Sequence, residues 1–208
     1  MSFDQIPTDS SGVPIPAHLD GYFVISETEL TDPNFRKTVV LLISHNEEGA
    51  FGLVVNRPTD VRLADVFEEL DDADVGALTT FIGGPVEQHY LFTLHSGLPE
   101  SAESQYAMKP VPGVVFEPVF TAIEGFLRNE WQELDTSNRP AVNFYLGYAG
   151  WGPGQLEAEI DAGAWLVLPA DPDIVFHPEP TEGWNVALSR KGGLYHVIAQ
   201  TGFKPSVN

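Results

Sequence analysis

Apolar residues in this chain fall into two patterns, short unbroken runs and single positions three or four apart, and the two predict different elements. Residues 21–26 (GYFVIS) and 37–45 (KTVVLLISH) read as strands. The second is apolar at successive positions, so both of its faces are expected to be covered. Residues 46–50 (NEEGA) have the length and the glycine of a hairpin connection, which returns 51–56 (FGLVVN) as a strand ended by Pro58. Leu63, Val66, Phe67 and Leu70 then share one helical face, with Asp60 as the expected cap. Residues 71–74 (DDAD) read as a solvated loop.

The pattern continues with a short strand into residues 83–86 (GGPV) and a strand at 90–95 (YLFTLH). Residues 96–113 hold Pro, Ser and Gly and few apolar runs, which predicts loop with short pieces of strand. Pro118 suits a helix start, after which Phe120, Ile123, Leu127 and Trp131 line one face. Residues 141–148 (AVNFYLGY) predict a buried strand, Pro153 starts a helix through Ala162, and 165–169 (WLVLP) is a strand. That connection is long enough for a parallel crossover. A segment at 173–176 (DIVF), a short helix around 184–188 and a final strand near 194–199 complete the reading. Early hairpins, a late crossover and no internal repeat predict a single α+β domain over residues 21–208. The Pro-, Ser- and Asp-rich residues 1–20 are expected to form a loose or draped arm.

Charge narrows the functions available. The chain has 10 Lys and Arg against 30 Asp and Glu, a formal net charge of −20. Such a surface repels nucleic acid and anionic membranes, because phosphate binding depends on clustered cations. Direct contact with either is therefore not expected. The sequence contains no Cys, which removes thiol catalysis, thiolate ligands and disulfides. The first twenty residues lack the basic and apolar regions of a secretory signal, and no apolar run approaches a membrane span. A cytoplasmic protein, monomeric or weakly oligomeric, is expected.

Residues 147–160 (GYAGWGPGQLEAEI) place four glycines before an acidic helical segment. A strand, a glycine loop and a helix start together suggest an anion site. The spacing matches neither the dinucleotide fingerprint nor the P-loop. Pro153 removes a donor, and Glu157 and Glu159 would repel an anion. A tight corner, with Trp151 folded over the helix start, is the preferred reading. The six histidines offer no close metal spacing. His89 and His95 on one strand would stand roughly 20 Å apart. Ser44 and His45 point to opposite faces of their strand, and no nucleophile elbow occurs. Neither a metal nor another cofactor is expected, and no catalytic set is assigned.

Taken together, residues 45–58 (HNEEGAFGLVVNRP), 83–86, 92–95 (FTLH) and 147–160 occur in an order that resembles the YqgE/AlgH family. Trp165 and DIVF within residues 164–176 extend the resemblance, which spans about 21–184. It implies a bacterial cytosolic protein with a complex mixed sheet, branched or partly closed like a barrel, surrounded by helices. It implies no established activity. Some members carry a transcriptional-regulator label inherited from a genetic link to alginate production. The pattern departs at residues 87–95 (EQHYLFTLH), which lack the basic residue common before this strand. The candidate binding surface is His45, Asn46, Asn56, Arg57, Gly83, Gly84, Pro85, His95, Trp151, Gln155 and Glu157. A non-catalytic binding or regulatory module, contacting a protein or small molecule there, is the leading expectation. An enzyme using His45 or His95 as base with Glu157 as partner is second, and a direct DNA binder last.

Overall fold

A computed structural model describes residues 7–67, 70, 75–76 and 78–202; the loop expected at 71–74 lies outside them. The chain begins with β1 (Tyr22–Ser26), β2 (Val39–Asn46), β3 (Gly49–Val54) and β4 (Pro58–Arg62), then α1 (Leu63–Val66). β5 (Thr79–Ile82), β6 (Val86–His95), β7 (Met108–Val111) and β8 (Val114–Glu117) lead to α2 (Phe120–Asn129). β9 (Val142–Trp151), α3 (Gln155–Asp161) and β10 (Trp165–Pro169) follow, then α4 (Pro172–Val175), α5 (Gly183–Lys191) and α6 (Gly193–Thr201).

The strands form one mixed sheet in the order β10-β1-β2-β3-β9-β6-β8-β7, with β5 joining β9 and carrying β4 on its other side. All described pairings are antiparallel except β5 with β9. β9 is the branch point: β5 runs along residues 144–146 and β3 along residues 149–151. Gly83 bridges the fork, accepting from Val54 N–H at 2.7 Å and donating to the Leu146 carbonyl at 2.9 Å. The far edge curls back toward the start of β1, where a Cβ at Gly21 would stand 2.4 Å from the Pro110 carbonyl oxygen of β7. The sheet is thus both branched and partly closed.

Both faces of the central strands are covered, as the unbroken apolar run of β2 demands. Phe23, Ile25, Leu41 and Leu53 pack with Trp184, Leu188, Tyr195 and Ile198 of α5 and α6. Val24, Val40, Leu42 and Val54 point the other way, onto Leu156 and Ile160 of α3 and onto Leu19 of the arm. A third cluster joins Ile123, Phe126 and Leu127 of α2 to Trp131, Leu63 and Phe144. The described part of the arm, residues 7–20, is draped over the sheet. Asp9 accepts from Val167 N–H on the outer strand β10 at 2.9 Å and pairs with Lys191 Nζ at 2.6 Å. Lys191 also donates to the Val167 carbonyl at 2.7 Å, so this buried pair occupies hydrogen-bonding groups that an edge strand would leave open.

Several elements differ from the sequence reading. Pro58 opens β4 instead of ending a strand, a position where its missing N–H costs little. Asp60 lies within that strand, and the helix shrinks to Leu63–Val66, started by Arg62 with Asp65 accepting its N–H at 2.8 Å. β9 continues past Tyr148 to Trp151, so Gly150 also belongs to the strand and not to a loop. The crossover from β9 to β10 joins strands of like direction, but β1, β2 and β3 lie between them. The strand expected near 194–199 is α6, because Tyr195 and Ile198, three apart, share a buried helical face.

Candidate functional site

The end of β2, the end of β9 and the first turns of α3 meet beneath the arm. His45 is 6% exposed there. Its Nδ1 accepts from Leu19 N–H at 3.1 Å, which leaves the proton of the neutral ring on Nε2. Nε2 therefore donates to Glu157 Oε1 at 3.0 Å. The imidazole ties the arm to α3, and neither ring nitrogen is left to accept a substrate proton. Beside this pair lies a cavity of about 240 Å³, with Ile15, Pro16 and Leu19 of the arm facing Ile160 and with Glu157 and Asp161 on α3. Its walls are mostly apolar, and Glu157, with 53% of its side chain exposed, supplies the charge. Asn46 serves the neighbouring turn, where its Oδ1 accepts from Glu48 N–H at 2.8 Å.

Gly152, Pro153 and Gly154 make the turn into α3. Gln155 folds back over it, its Oε1 accepting from Gly152 N–H at 3.0 Å. An amide that an anion would use is thus taken by the helix's own side chain, as the corner reading requires. Trp151 does fold over the helix: its indole N–H donates to Glu159 Oε2 at 2.9 Å. Trp165 donates to the same oxygen at 2.8 Å.

The other candidates lie elsewhere. Asn56, buried at the start of β2, accepts from Val39 N–H at 2.8 Å and donates to the Lys37 carbonyl at 2.9 Å. Arg57 clamps a loop through the carbonyls of Pro33, Asn34 and Arg36, at 3.1, 2.6 and 3.0 Å. Gly83 and Gly84 sit at the fork because only hydrogen fits: their Cβ atoms would lie 2.3 Å from the Gly147 oxygen and 2.0 Å from the Tyr148 carbonyl carbon. Pro85 follows them, exposed, ahead of β6. His95, fully buried, pairs with Val142 at the opposite end of β9 from Trp151. Its Nδ1 accepts from Leu98 N–H at 3.0 Å while Nε2 has no partner, and burial pushes its pKa down despite Glu103 and Glu117.

His45, Asn46, Trp151, Gln155 and Glu157 therefore share one end of the molecule, whereas Asn56, Arg57, Gly83, Gly84, Pro85 and His95 do not join them. The expected single surface splits. Leu19, Phe35, Glu159 and Trp165 complete the α3 end and were missed, as was Asp9, which anchors the arm to β10 and Lys191. Asp9 meets Lys191 across 182 positions, and no local pattern announces that. Glu159 carried a signal: its three-residue spacing from Leu156 sets it on a neighbouring face of the helix that starts after Trp151. Among the described residues no group of three His, Asp or Glu side chains is placed to hold a metal ion, and no helix is long and apolar enough to cross a membrane.

Comparison with known proteins agrees with this architecture. The family profile described as AlgH-like matches residues 23–196. A protein of Thioalkalivibrio sulfidiphilus designated UPF0301 is 41% identical over 173 residues, covering 82% of this chain and 88% of its own length. The UPF0301 protein AlgH of Pseudomonas aeruginosa is 38% identical over 194 residues, covering 90% of this chain and 96% of its own. The solution structure of Pseudomonas aeruginosa AlgH superposes with a TM-score of 0.68 at 33% identity, over 93% of this chain and 98% of that one. A crystal structure from Corynebacterium diphtheriae has the same fold, with a TM-score of 0.72 at 22% identity over 95% and 99% of the two chains. With a branched, partly closed sheet and a family match from β1 into α6, this chain belongs to the AlgH-like, UPF0301 family.

Proposed function

We propose that the chain is a cytoplasmic, non-catalytic binding or regulatory module that takes a small apolar group into the cavity between the arm and α3. The observation that carries this reading is an apolar pocket rimmed by Glu157 and Asp161, beside an imidazole already engaged at both nitrogens. At about 240 Å³ it lies below the usual range for drug-sized ligands, which favours a small molecule or one side chain of a protein partner. The carboxylates favour a group that ends in a hydrogen-bond donor, such as a primary amine. A polyanion is a poor partner, because Arg62, Lys109, Arg128, Arg190 and Lys191 are each paired with a carboxylate.

The enzyme reading has one favourable feature, the His45–Glu157 contact of 3.0 Å. A general base, however, needs an accessible lone pair near the reacting proton. Here Leu19 N–H occupies it. The test is an amide-resolved NMR titration with benzylamine, benzyl alcohol and benzoate. Saturable shifts at Leu19, His45 and Glu157 with benzylamine, lost in Ile15→Trp, are expected, with weaker shifts for the alcohol and none for the acid. Shifts scattered over the surface, or preserved when Ile15→Trp fills the cavity, would remove this site. Chemical conversion of a bound probe that stops in His45→Gln would establish the enzyme reading instead.

A further inference from the structure

His45 holds the arm in a way that depends on its protonation state. Its Nδ1 accepts from Leu19 N–H and its Nε2 donates to Glu157 Oε1, so the closed arm suits only the neutral ring. An imidazolium carries a proton on each nitrogen. It keeps the Glu157 contact and strengthens it, but at Nδ1 it sets one donor against another across 3.1 Å. Protonation therefore leaves His45 tied to α3 and breaks its tie to the arm.

The arm is fastened so that this one bond matters. Upstream, Asp9 is anchored to Val167 and Lys191, and a bridge between Thr8 and Pro14 closes the segment on itself. Downstream, Gly21 N–H donates to the Leu42 carbonyl at 2.9 Å. Between these anchors, a local turn joins Tyr22 N–H to the Leu19 carbonyl. The other described hydrogen bonds of residues 16–20 both go to His45: Leu19 N–H to its ring, and His18 Nδ1 to its carbonyl at 3.4 Å. Pro16 and Leu19 are also walls of the cavity beneath the arm.

The charges on the surrounding elements favour a proton on the ring. Glu157 and Asp161 of α3, Asp20 of the arm, and the exposed Glu47 and Glu48 in the turn after β2 are all carboxylates, while Trp151 of β9 adds no charge. His18 is the opposing group, because a protonated His18 can only donate and so firms its contact with the His45 carbonyl. Asp9 stays out of the transition, since its carboxyl is held below its ordinary 3.8. We propose that His45 is an acid-sensitive latch, whose protonation lifts residues 16–20 between Asp9 and Gly21 and opens the wall of the cavity. That this wall closes on a ligand rests on the function proposed above; the lifting of the arm does not.

The experiment follows the unliganded full chain by NMR from about pH 8 to about pH 5.5, a span in which imidazoles take up protons and ordinary carboxylates and ammonium groups do not. The Leu19 amide should move toward its unstructured position, and the backbone of residues 16–20 should gain fast motion while Asp9 and Val167 stay rigid. The midpoint should coincide with the titration of the His45 ring and not with that of His18. His45→Asn puts a side-chain oxygen near the place of Nδ1 and has nothing to protonate, so its Leu19 amide should stay closed across the span. Glu157→Gln should move the opening to lower pH by about 0.4 pH unit, the equivalent of one screened ion pair. Benzylamine, a cation throughout the span, should bind the wild type roughly threefold or more weakly at the acid end and His45→Asn equally at both ends. A Leu19 amide that keeps its closed position in acid overturns the proposal. So does an opening that tracks His18, or one that persists undiminished in folded His45→Asn. If benzylamine binds at neither pH, the function proposed for the cavity fails, while the latch, read without ligand, stands on the Leu19 signal.

Discussion

At the middle of β9, Gly147 meets Gly83 and Gly84 with main chain touching main chain; at its end, Gly152 and Gly154 turn into α3 through open space. A Cβ on Gly147 would stand 2.6 Å from the Val86 oxygen, whereas nothing lies within 4 Å of one on Gly154. The same residue type answers two needs: Gly147 combines close approach with a left-handed φ of +70°, whereas Gly154, also at φ +70°, serves the turn alone. The regions are also held together differently. The fork is joined by backbone hydrogen bonds and tight packing, whereas side chains hold the arm: His45 with Glu157 ties it to α3, and the Asp9–Lys191 pair ties it to β10 and α5. A backbone lock does not titrate. A latch of imidazole, carboxylate and ammonium groups does, and it can also offer charge to a ligand.

The sharpest way to break this comparison is Gly84→Ala. The added methyl would stand 2.0, 2.1 and 2.3 Å from the Tyr148 carbonyl carbon, its oxygen and the Ala149 nitrogen. These are backbone atoms of the hub strand and have no rotamer by which to yield. A loss of about 4 kcal/mol or more, at the severe end for a single substitution, is expected from the urea unfolding midpoint. Gly154→Ala should cost only about 1–2 kcal/mol, the left-handed penalty without a clash. Similar losses for both would mean that the fork is not the tighter region.

Next in size is Lys191→Met, which strands a carboxylate. The Asp9 and Lys191 side chains are 0% and 3% exposed, so the loss should approach the about 3–5 kcal/mol of a broken buried pair. The pH dependence reports the same latch. Burial pushes the Asp9 pKa up, but the Lys191 ammonium, the Ser11 hydroxyl and the Val167 and Val13 amides together hold it below its ordinary 3.8. A depressed carboxylate stabilises the fold at pH values above its unfolded pKa. That contribution is lost as pH falls from about 4 through the lower folded value. Denaturant titrations should show this acid-side loss in the wild type and a smaller or inverted one in Lys191→Met. An unchanged profile would place the titratable stability elsewhere.

The sequence made visible those parts of the comparison that depend on local pattern. The apolar runs of β1, β2, β9 and β10 mark strands, the unbroken run of β2 marks one covered on both faces, and Phe120, Ile123 and Leu127 mark α2 by their spacing. The α6 segment misleads because LYHVIA is short, apolar and partly β-branched, and only its packing through Tyr195 and Ile198 makes it helical. The glycines were legible as sites of tight backbone, but whether each serves an approach or a turn depends on strands that meet from distant positions. For the site, Trp151, Gln155 and Glu157 stood out because they flank the turn into α3, and His45 because it is a histidine near the end of an apolar strand. Phe35 did not, since it reaches that end through long-range contacts, and neither did Asp9, whose partners Val167 and Lys191 are also distant in sequence. Asn56 and Arg57 stood out as polar groups at a strand end, and in the structure Asn56 satisfies buried backbone while Arg57 holds the carbonyls of an exposed loop.

The smallest expected effect, and the finest test of the comparison, comes from Glu157→Gln. The carboxylate is 53% exposed, so its contact with the buried His45 is screened by water and worth about 0.5 kcal/mol. Glutamine keeps an acceptor for the Nε2 proton of His45, and the Leu19 N–H bond to Nδ1 should persist. Stability in urea should therefore fall by less than about 1 kcal/mol, and the difference from wild type should shrink as salt is raised. The arm amides at Leu19 should keep their NMR positions. If Glu157→Gln instead released the arm, with Leu19 moving to unstructured shifts, the Glu157 carboxylate and not the imidazole–amide bond would be the element that holds the two sides of the pocket together.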